Sequence, residues 1–157
     1  MVKIFLRSNF HIMSIFQFKS TGYYNLGSKD SCDVQWNESN YSELVNEANI
    51  KLLENKKALR IDKNGFAGYY WISLSYFADL IGDKKQSRSI AEMLINGQVQ
   101  NQVAAEVQHN FGFQRVSVSG IVRLGPKDVI TVRLRNLNNL SRAKDFEIAG
   151  HAIRRFE

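Results

Sequence analysis

The sequence contains a strongly alternating run, Tyr69-Tyr70-Trp71-Ile72-Ser73-Leu74-Ser75-Tyr76-Phe77. Successive side chains of a β-strand point to opposite faces, and here both faces carry aromatic rings. We expect one face to fill a core and the other to meet a second subunit, because a soluble monomer rarely exposes a large apolar face. The candidate core and subunit-interface residues are Tyr69, Tyr70, Trp71, Tyr76 and Phe77.

Further strand patterns follow this run along the chain. Valine alternates with serine over residues 116–119, and apolar residues alternate with Thr or Arg over residues 130–135. A last strand is predicted over residues 146–156. Turn residues separate these runs at 63–65, 96–97, 125–128 and 136–139. Short strands with turns between them and no alternation with helices predict an all-β sandwich or barrel.

One segment departs from the strand pattern. Asn40-Tyr-Ser-Glu43 resembles a helix capping box, and Leu44, Ala48 and Leu52 follow at helical spacing. The local pattern therefore predicts a short helix over about residues 42–57, inserted in a β scaffold.

Length and composition exclude several classes of protein. A chain of 157 residues with 44% hydrophobic residues has the size and apolar content of one folded domain. The sequence has no apolar run near the roughly 18 residues that a membrane span needs. A single cysteine, Cys32, excludes a fold held by disulfides.

The positive charge is concentrated near the C-terminus. Residues 111–157 contain nine Lys or Arg and four Asp or Glu, and so carry +5 of the net +6. These arginines either solvate the exposed faces of strands or attract a polyanionic partner.

The sequence shows no catalytic or metal-binding pattern. His11, His109 and His151 are scattered, and neither Ser117 nor Ser119 lies in a nucleophile elbow. We therefore predict no enzymatic activity, no cofactor and no obligatory metal. Whether Asp79 and Asp83 contribute to a calcium site stays open.

A series of motifs from residue 34 onward resembles a known family. The motifs are Val34-Gln-Trp36, Leu59-Arg-Ile-Asp-Lys-Asn-Gly65, Gly68-Tyr-Tyr-Trp-Ile-Ser73, Met93-Leu-Ile-Asn-Gly97, Val116-Ser-Val-Ser-Gly-Ile-Val-Arg-Leu124 and Ile148-Ala-Gly-His-Ala-Ile-Arg-Arg-Phe156. In this order they resemble the complement component 1q/tumour-necrosis-factor-like jelly-roll family, most of all its bacteriophage and bacterial surface versions. Lys127 stands where the family usually has glycine in the turn that ends at Asp128.

The resemblance implies a ten-stranded jelly-roll β-sandwich that assembles as a homotrimer. It covers residues 34–157, the predicted jelly-roll domain. Residues 1–33 match no known motif and form either an N-terminal arm or the first strands. Their apolar residues, with the basic C-terminal end, are candidates for docking to a larger assembly. The candidate docking residues are Phe5, Phe10, Phe16, Arg154 and Arg155.

Three functions compete on this basis. The first is a non-enzymatic virion structural protein, a trimeric knob that decorates or cements a phage capsid or forms a head fibre. A variant of it is the receptor-binding tip of a phage tail or fibre. The expected partner is a capsid, fibre or tail protein, and a host-surface polysaccharide is the candidate ligand. The second is a secreted or surface ligand-binding module of the complement-1q type. The third, an enzyme on a related jelly roll, lacks the histidine cluster that it needs. The first predicts a location in the virion.

Overall fold

The computed structural model describes residues 15–25, 31–37, 50–63, 67–79, 87–109, 114–138 and 142–156. Within these ranges the chain forms ten β-strands and no helix, so no helix there is long and apolar enough to cross a membrane. The strands are β1 (Ile15–Tyr24), β2 (Ser31–Asp33), β3 (Ile50–Leu52), β4 (Ala58–Ile61), β5 (Gly68–Asp79), β6 (Ser87–Ile95), β7 (Gln98–His109), β8 (Gln114–Leu124), β9 (Val129–Asn138) and β10 (Arg142–Arg155).

The strands form two antiparallel sheets. The four-stranded sheet has the order β1-β10-β5-β8, and the six-stranded sheet has the order β3-β4-β9-β6-β7 with β2 also paired to β9. Most neighbours within a sheet are distant in sequence, so connections cross between the two sheets, as they do in a jelly roll. The all-β jelly-roll sandwich expected from the sequence is confirmed.

The core lies between the sheets and takes alternate residues of each long strand. On β5, the side chains of Tyr70, Ile72, Leu74 and Tyr76 are at most 1% exposed. Tyr76 stacks on Phe146 of β10 with ring centroids 4.8 Å apart. From the other sheet, β9 contributes the fully buried Ile130, Val132 and Leu134. The alternating residues of β5 therefore point in turn to the core and to the outer face of the sheet.

The segment 34–36 follows β2 and is not part of a named strand. Val34 N–H donates to the carbonyl of Val132 at 2.8 Å, and Trp36 N–H donates to the carbonyl of Lys56 at 2.7 Å. Both side chains are at most 1% exposed. The early valine-x-tryptophan motif thus supplies core residues, held by two separate backbone contacts.

The helix predicted over residues 42–57 is wrong where the structure describes it, while residues 42–49 lie outside the described ranges. Residues 50–52 form β3, and Ile50 pairs with Ile61 of β4 in an antiparallel hairpin. Lys56, with φ of 55°, lies in the turn between the two strands. The spacing of Leu44, Ala48 and Leu52 fits a helix locally, but pairing with β4 buries Ile50 to 2% exposure, and this tertiary contact outweighs the local preference.

The described part of residues 1–33 belongs to the sandwich. β1 pairs antiparallel with β10, from Ile15 opposite His151 to Tyr24 opposite Ala143. Phe16, proposed from the sequence as a docking residue, is instead a core residue with 3% exposure. Its ring is therefore not available to another surface. Phe5 and Phe10, the other N-terminal docking candidates, lie outside the described residues.

Candidate functional site

The four-stranded sheet presents one face to the core and the other outward. Directly opposite residues of an antiparallel pair share a face, so the register of β10, β5 and β8 defines rows across the outer face. One row contains His151, Trp71 and Ile121. The adjacent row contains Arg154, Tyr69 and Arg123. We call this part of the outer face, together with Ile153 and Phe156, the aromatic end.

The aromatic end exposes unusually large apolar side chains. Six large hydrophobic residues are exposed in the part of the chain that the structure describes, and four of them lie at this end. Their exposed fractions are 43% for Tyr69, 41% for Trp71, 49% for Ile121 and 50% for Ile153. Single exposed apolar residues are ordinary, whereas a cluster of four is typical of surfaces that contact a partner.

Ring contacts hold the aromatic end in place. Tyr69 and Phe156 pack edge to face with centroids 5.0 Å apart, and the guanidinium carbon of Arg123 lies 4.7 Å from the centroid of the Phe156 ring. The backbone N–H of Phe156 donates to the carbonyl of Ala67 at 2.9 Å, which fixes the chain after β10. These contacts pre-order the surface, so that less conformational entropy is lost when a partner covers it.

The middle of the same face is flat and polar. The row next to Trp71 contains Gln17, Ala149, Ser73 and Ser119, all with short side chains except the glutamine. In the following row Glu147 accepts a hydrogen bond from Gln17 Nε2 at 2.7 Å and lies 3.6 Å from Lys19 Nζ. Short side chains here permit close approach of another backbone.

The opposite end of the face is basic. Tyr23 is 64% exposed, with Lys144 Nζ 5.5 Å and the guanidinium carbon of Arg142 5.9 Å from the centroid of its ring. Phe77 is half-buried there, paired with Arg115 on one side and Lys144 on the other. The two ends of the outer face therefore differ in chemistry.

The structure separates the aromatic residues singled out from the sequence. Tyr70 and Tyr76 lie in the core, whereas Tyr69 and Trp71 lie on the outer face and Phe77 is half-buried at the basic end. Arg154, a docking candidate, is exposed at the aromatic end, and Arg155 ends β10.

Sequence reasoning missed Ile121 and Ile153. Ile121 alternates with Val122, so the strand period places the two on opposite faces, and the structure shows that Val122 is the buried one. Ile153 was not readable, because it lies at a bulge between Ala152 and Arg154 that shifts the register against β5.

The described residues contain no group of three or more His, Cys, Asp or Glu side chains that could hold a metal ion. Ser117 and Ser119 lie on the outer face of β8, opposite Ser75 and Ser73. Of the two candidate calcium ligands, Asp79 ends β5, and Asp83 lies outside the described ranges.

Comparison with known proteins shows a likeness of fold. No protein-family model and no curated protein matches the sequence. The fold is similar to crystal structures of murine APRIL. The structure at pH 8.5 covers 90% of this chain and 99% of its own, with a TM-score of 0.57 and 12% identity. The structures at pH 5.0 and pH 8.0 have TM-scores of 0.59 and 0.58, with 12% and 11% identity and the same coverage. With the sheet topology, this likeness shows a tumour-necrosis-factor-like jelly roll.

Proposed function

We propose that the protein is a non-catalytic binding module that acts as a homotrimer, with the outer face of the four-stranded sheet as its subunit interface. The observation that carries this proposal is the exposure of Tyr69, Trp71, Ile121 and Ile153 at one end of a single sheet face. Covering these side chains removes apolar area from water, which is the main favourable contribution to most protein association.

Two further features support self-association through this face. The short side chains of Ser73, Ser119 and Ala149 let a neighbouring subunit approach beside the aromatic end. The jelly-roll family that the sequence resembles implies closed trimers, and closed symmetry buries the same patch on every subunit.

The proposal is tested by the mass of the protein in solution. Sedimentation or light scattering at micromolar concentration is expected to give three chains per particle. Ile121→Ser is expected to shift the population toward monomer while the circular dichroism spectrum stays unchanged. Val99→Ser is the matched control, because Val99 is 40% exposed but lies on β7 of the other sheet. A monomeric wild-type protein, or equal effects of the two substitutions, contradicts the proposal.

We propose further that this trimer is a structural component of a virion, located on the particle as a capsid decoration or head-fibre protein. The support is the order of motifs, which resembles the bacteriophage versions of the family. The excess of basic residues after residue 110 favours an acidic docking partner.

The virion proposal is tested by locating the protein. Virus particles are purified from cultures that produce this protein. Quantitative mass spectrometry is expected to find this chain in the particles, in a fixed ratio to the capsid protein. Recombinant trimer is expected to rebind stripped particles, and more weakly as salt rises. Absence from particles, with binding to cell-surface polysaccharide instead, favours the ligand-binding module and refutes the structural role.

A further inference from the structure

Two turns at one end of the sandwich are joined by side-chain hydrogen bonds. Asn96 Nδ2 donates to Asp128 Oδ1 at 2.8 Å, and Val129 N–H donates to Asn96 Oδ1 at 2.9 Å. The second carboxylate oxygen of Asp128 accepts from Gly125 N–H at 2.7 Å. We call these three bonds the clasp. The clasp holds the β6–β7 turn against the β8–β9 turn and uses both ends of the Asn96 carboxamide.

Asn96 of the clasp is also the first residue of an Asn-Gly dipeptide, a sequence in which the asparagine is prone to react with the backbone nitrogen that follows it. Asn96 and Gly97 form the two-residue turn between β6 and β7, with φ of 51° and 81°. Both residues are exposed, and an added Cβ at Gly97 would meet nothing within 4 Å. Gly97 itself has no side chain that could hinder attack by its backbone nitrogen on the carboxamide carbon of the preceding Asn96.

We propose that Asn96 is a covalent modification site, a deamidation site whose rate is controlled by Asp128. The Gly97 nitrogen attacks Cγ of Asn96, a new C–N bond closes a five-membered imide, and the carboxamide nitrogen leaves as ammonia with the proton from Gly97. Water then opens the imide at either carbonyl and leaves aspartate or isoaspartate. The only co-reactant is water, and no electrons are transferred.

The clasp opposes this reaction. Attack on Cγ requires the Asn96 side chain to turn toward Gly97, and this breaks its bonds to Asp128 and to the backbone of Val129. The reaction therefore proceeds from molecules in which the clasp has opened locally, and its rate reports how often that happens.

The product cannot restore the clasp. Aspartate at position 96 has no Nδ2 donor, and its carboxylate faces the carboxylate of Asp128 at hydrogen-bond distance, where like charges repel. Isoaspartate additionally lengthens the backbone of a two-residue turn. Deamidation to aspartate therefore removes the side-chain bond between position 96 and Asp128 irreversibly, while the backbone N–H of residue 96 can still donate to the carbonyl of Val129.

The rate experiment compares folded and unfolded protein. The full chain is incubated in mildly alkaline buffer with and without denaturant, and the mass of the Asn96 peptide is followed over time. The folded protein is expected to deamidate at Asn96 at least about tenfold more slowly, since opening must come first. Asp128→Ala is expected to remove most of that protection. Equal folded and unfolded rates, or no effect of the folded Asp128→Ala variant, overturn the proposal.

A second pair of variants keeps the test valid if Asp128→Ala fails to fold. Asn96→Asp, the product of the reaction, is expected to lower the melting temperature at neutral pH and to recover when the carboxylates are protonated. Asn55→Asp is the matched control, because Asn55 Oδ1 only accepts a bond from Lys57 N–H at 3.0 Å, which aspartate can also accept. Equal melting temperatures for Asn96→Asp, Asn55→Asp and the wild type would show that the clasp does not stabilise the fold. This result would refute the structural consequence proposed for deamidation.

Discussion

Gly150 on β10 lies beneath the ring of Phe16 on β1. The two residues are directly paired in the antiparallel ladder, and a Cβ at Gly150 would lie 2.6 Å from both Cε1 and Cζ of Phe16 and 3.0 Å from the carbonyl oxygen of Trp71. The ring of Phe16 thus occupies the space that a side chain at position 150 would need. This contact allows β1 to pack closely against β10.

Gly150→Ala is expected to destabilise the protein by about 1–3 kcal/mol, because the buried Phe16 ring and the Trp71 backbone cannot both move away. Urea unfolding measures the change. Gly22→Ala is the control: Gly22 lies in β1, an added Cβ there meets nothing within 4 Å, and the change is expected to be close to neutral. Equal effects of the two substitutions would show that β1 is not packed as described.

Tyr70→Ala and Tyr69→Ala are expected to lower the free energy of unfolding by different amounts, although the residues are adjacent. Tyr70 is fully buried, so its loss should cost about 3–5 kcal/mol of unfolding free energy. Tyr69 packs edge to face on Phe156 at the surface, and its loss should cost less than about 1.5 kcal/mol of subunit stability. Denaturant unfolding of each variant in its monomeric state makes the comparison. Similar losses of unfolding free energy for the two variants would contradict the assignment of Tyr70 to the core and Tyr69 to the outer face of β5.

Glu92 is 5% exposed, and its Oε1 accepts a bond from Arg135 Nη1 at 3.1 Å. Arg135→Ala leaves this buried carboxylate without its cation, and a loss of about 1–3 kcal/mol is expected. Arg133→Ala is the control, since Arg133 and Asp33 are 3.8 Å apart and both half-exposed, and such pairs contribute below about 1 kcal/mol. Thermal unfolding ranks the two variants. The reverse ranking would contradict the importance of the buried pair.

Lys127→Gly is expected to stabilise the protein by about 1 kcal/mol, because Lys127 has φ of 73°, a conformation that costs residues with a Cβ about that much. Lys57 lies in an exposed turn without positive φ. Lys57→Gly should instead destabilise the protein slightly, because glycine increases the conformational entropy of the unfolded chain. Urea midpoints of both variants provide the measurement. A destabilised Lys127→Gly variant would mean that the lysine side chain has a role beyond its backbone.

Asp62 is expected to contribute to the pH dependence of stability. The Nζ hydrogen bond from Lys51 at 2.5 Å, followed by the backbone N–H of Lys63 at 2.8 Å, lowers the pKa of this carboxyl from its ordinary value. A lowered pKa in the folded state means that the stabilisation is complete above the ordinary value and is lost as pH falls through the lowered one. Asp62→Asn should flatten this acid limb of an unfolding-versus-pH curve, with a small amplitude because the site is exposed. An unchanged acid limb would contradict the assignment.

The strands with clear alternation could be predicted because their period is local. β5, β8 and β9 each show residues of one kind at every second position, and the turns at Asn96-Gly97 and at Asp128 follow from residue type alone. The all-β class follows from these segments, and the jelly-roll fold was predicted from the resemblance of their order to a known family. The period also places Tyr69 and Trp71 on the face opposite to Tyr70, although it does not tell which face is the core.

Only the tertiary structure decided which strand each segment joins, and therefore which residues are core. β3 looked helical because its own spacing fits a helix, and pairing of Ile50 with Ile61 of β4 overrode that preference. Phe16 is a docking candidate by its sequence alone, but β1 pairs with β10, and the absence of a side chain at Gly150 leaves room for the Phe16 ring in the core. Ile153 reached the surface through a bulge against β5. Sequence patterns report the period of a strand, but pairing between distant segments depends on contacts that no local pattern records, and these contacts formed both the core and the aromatic end.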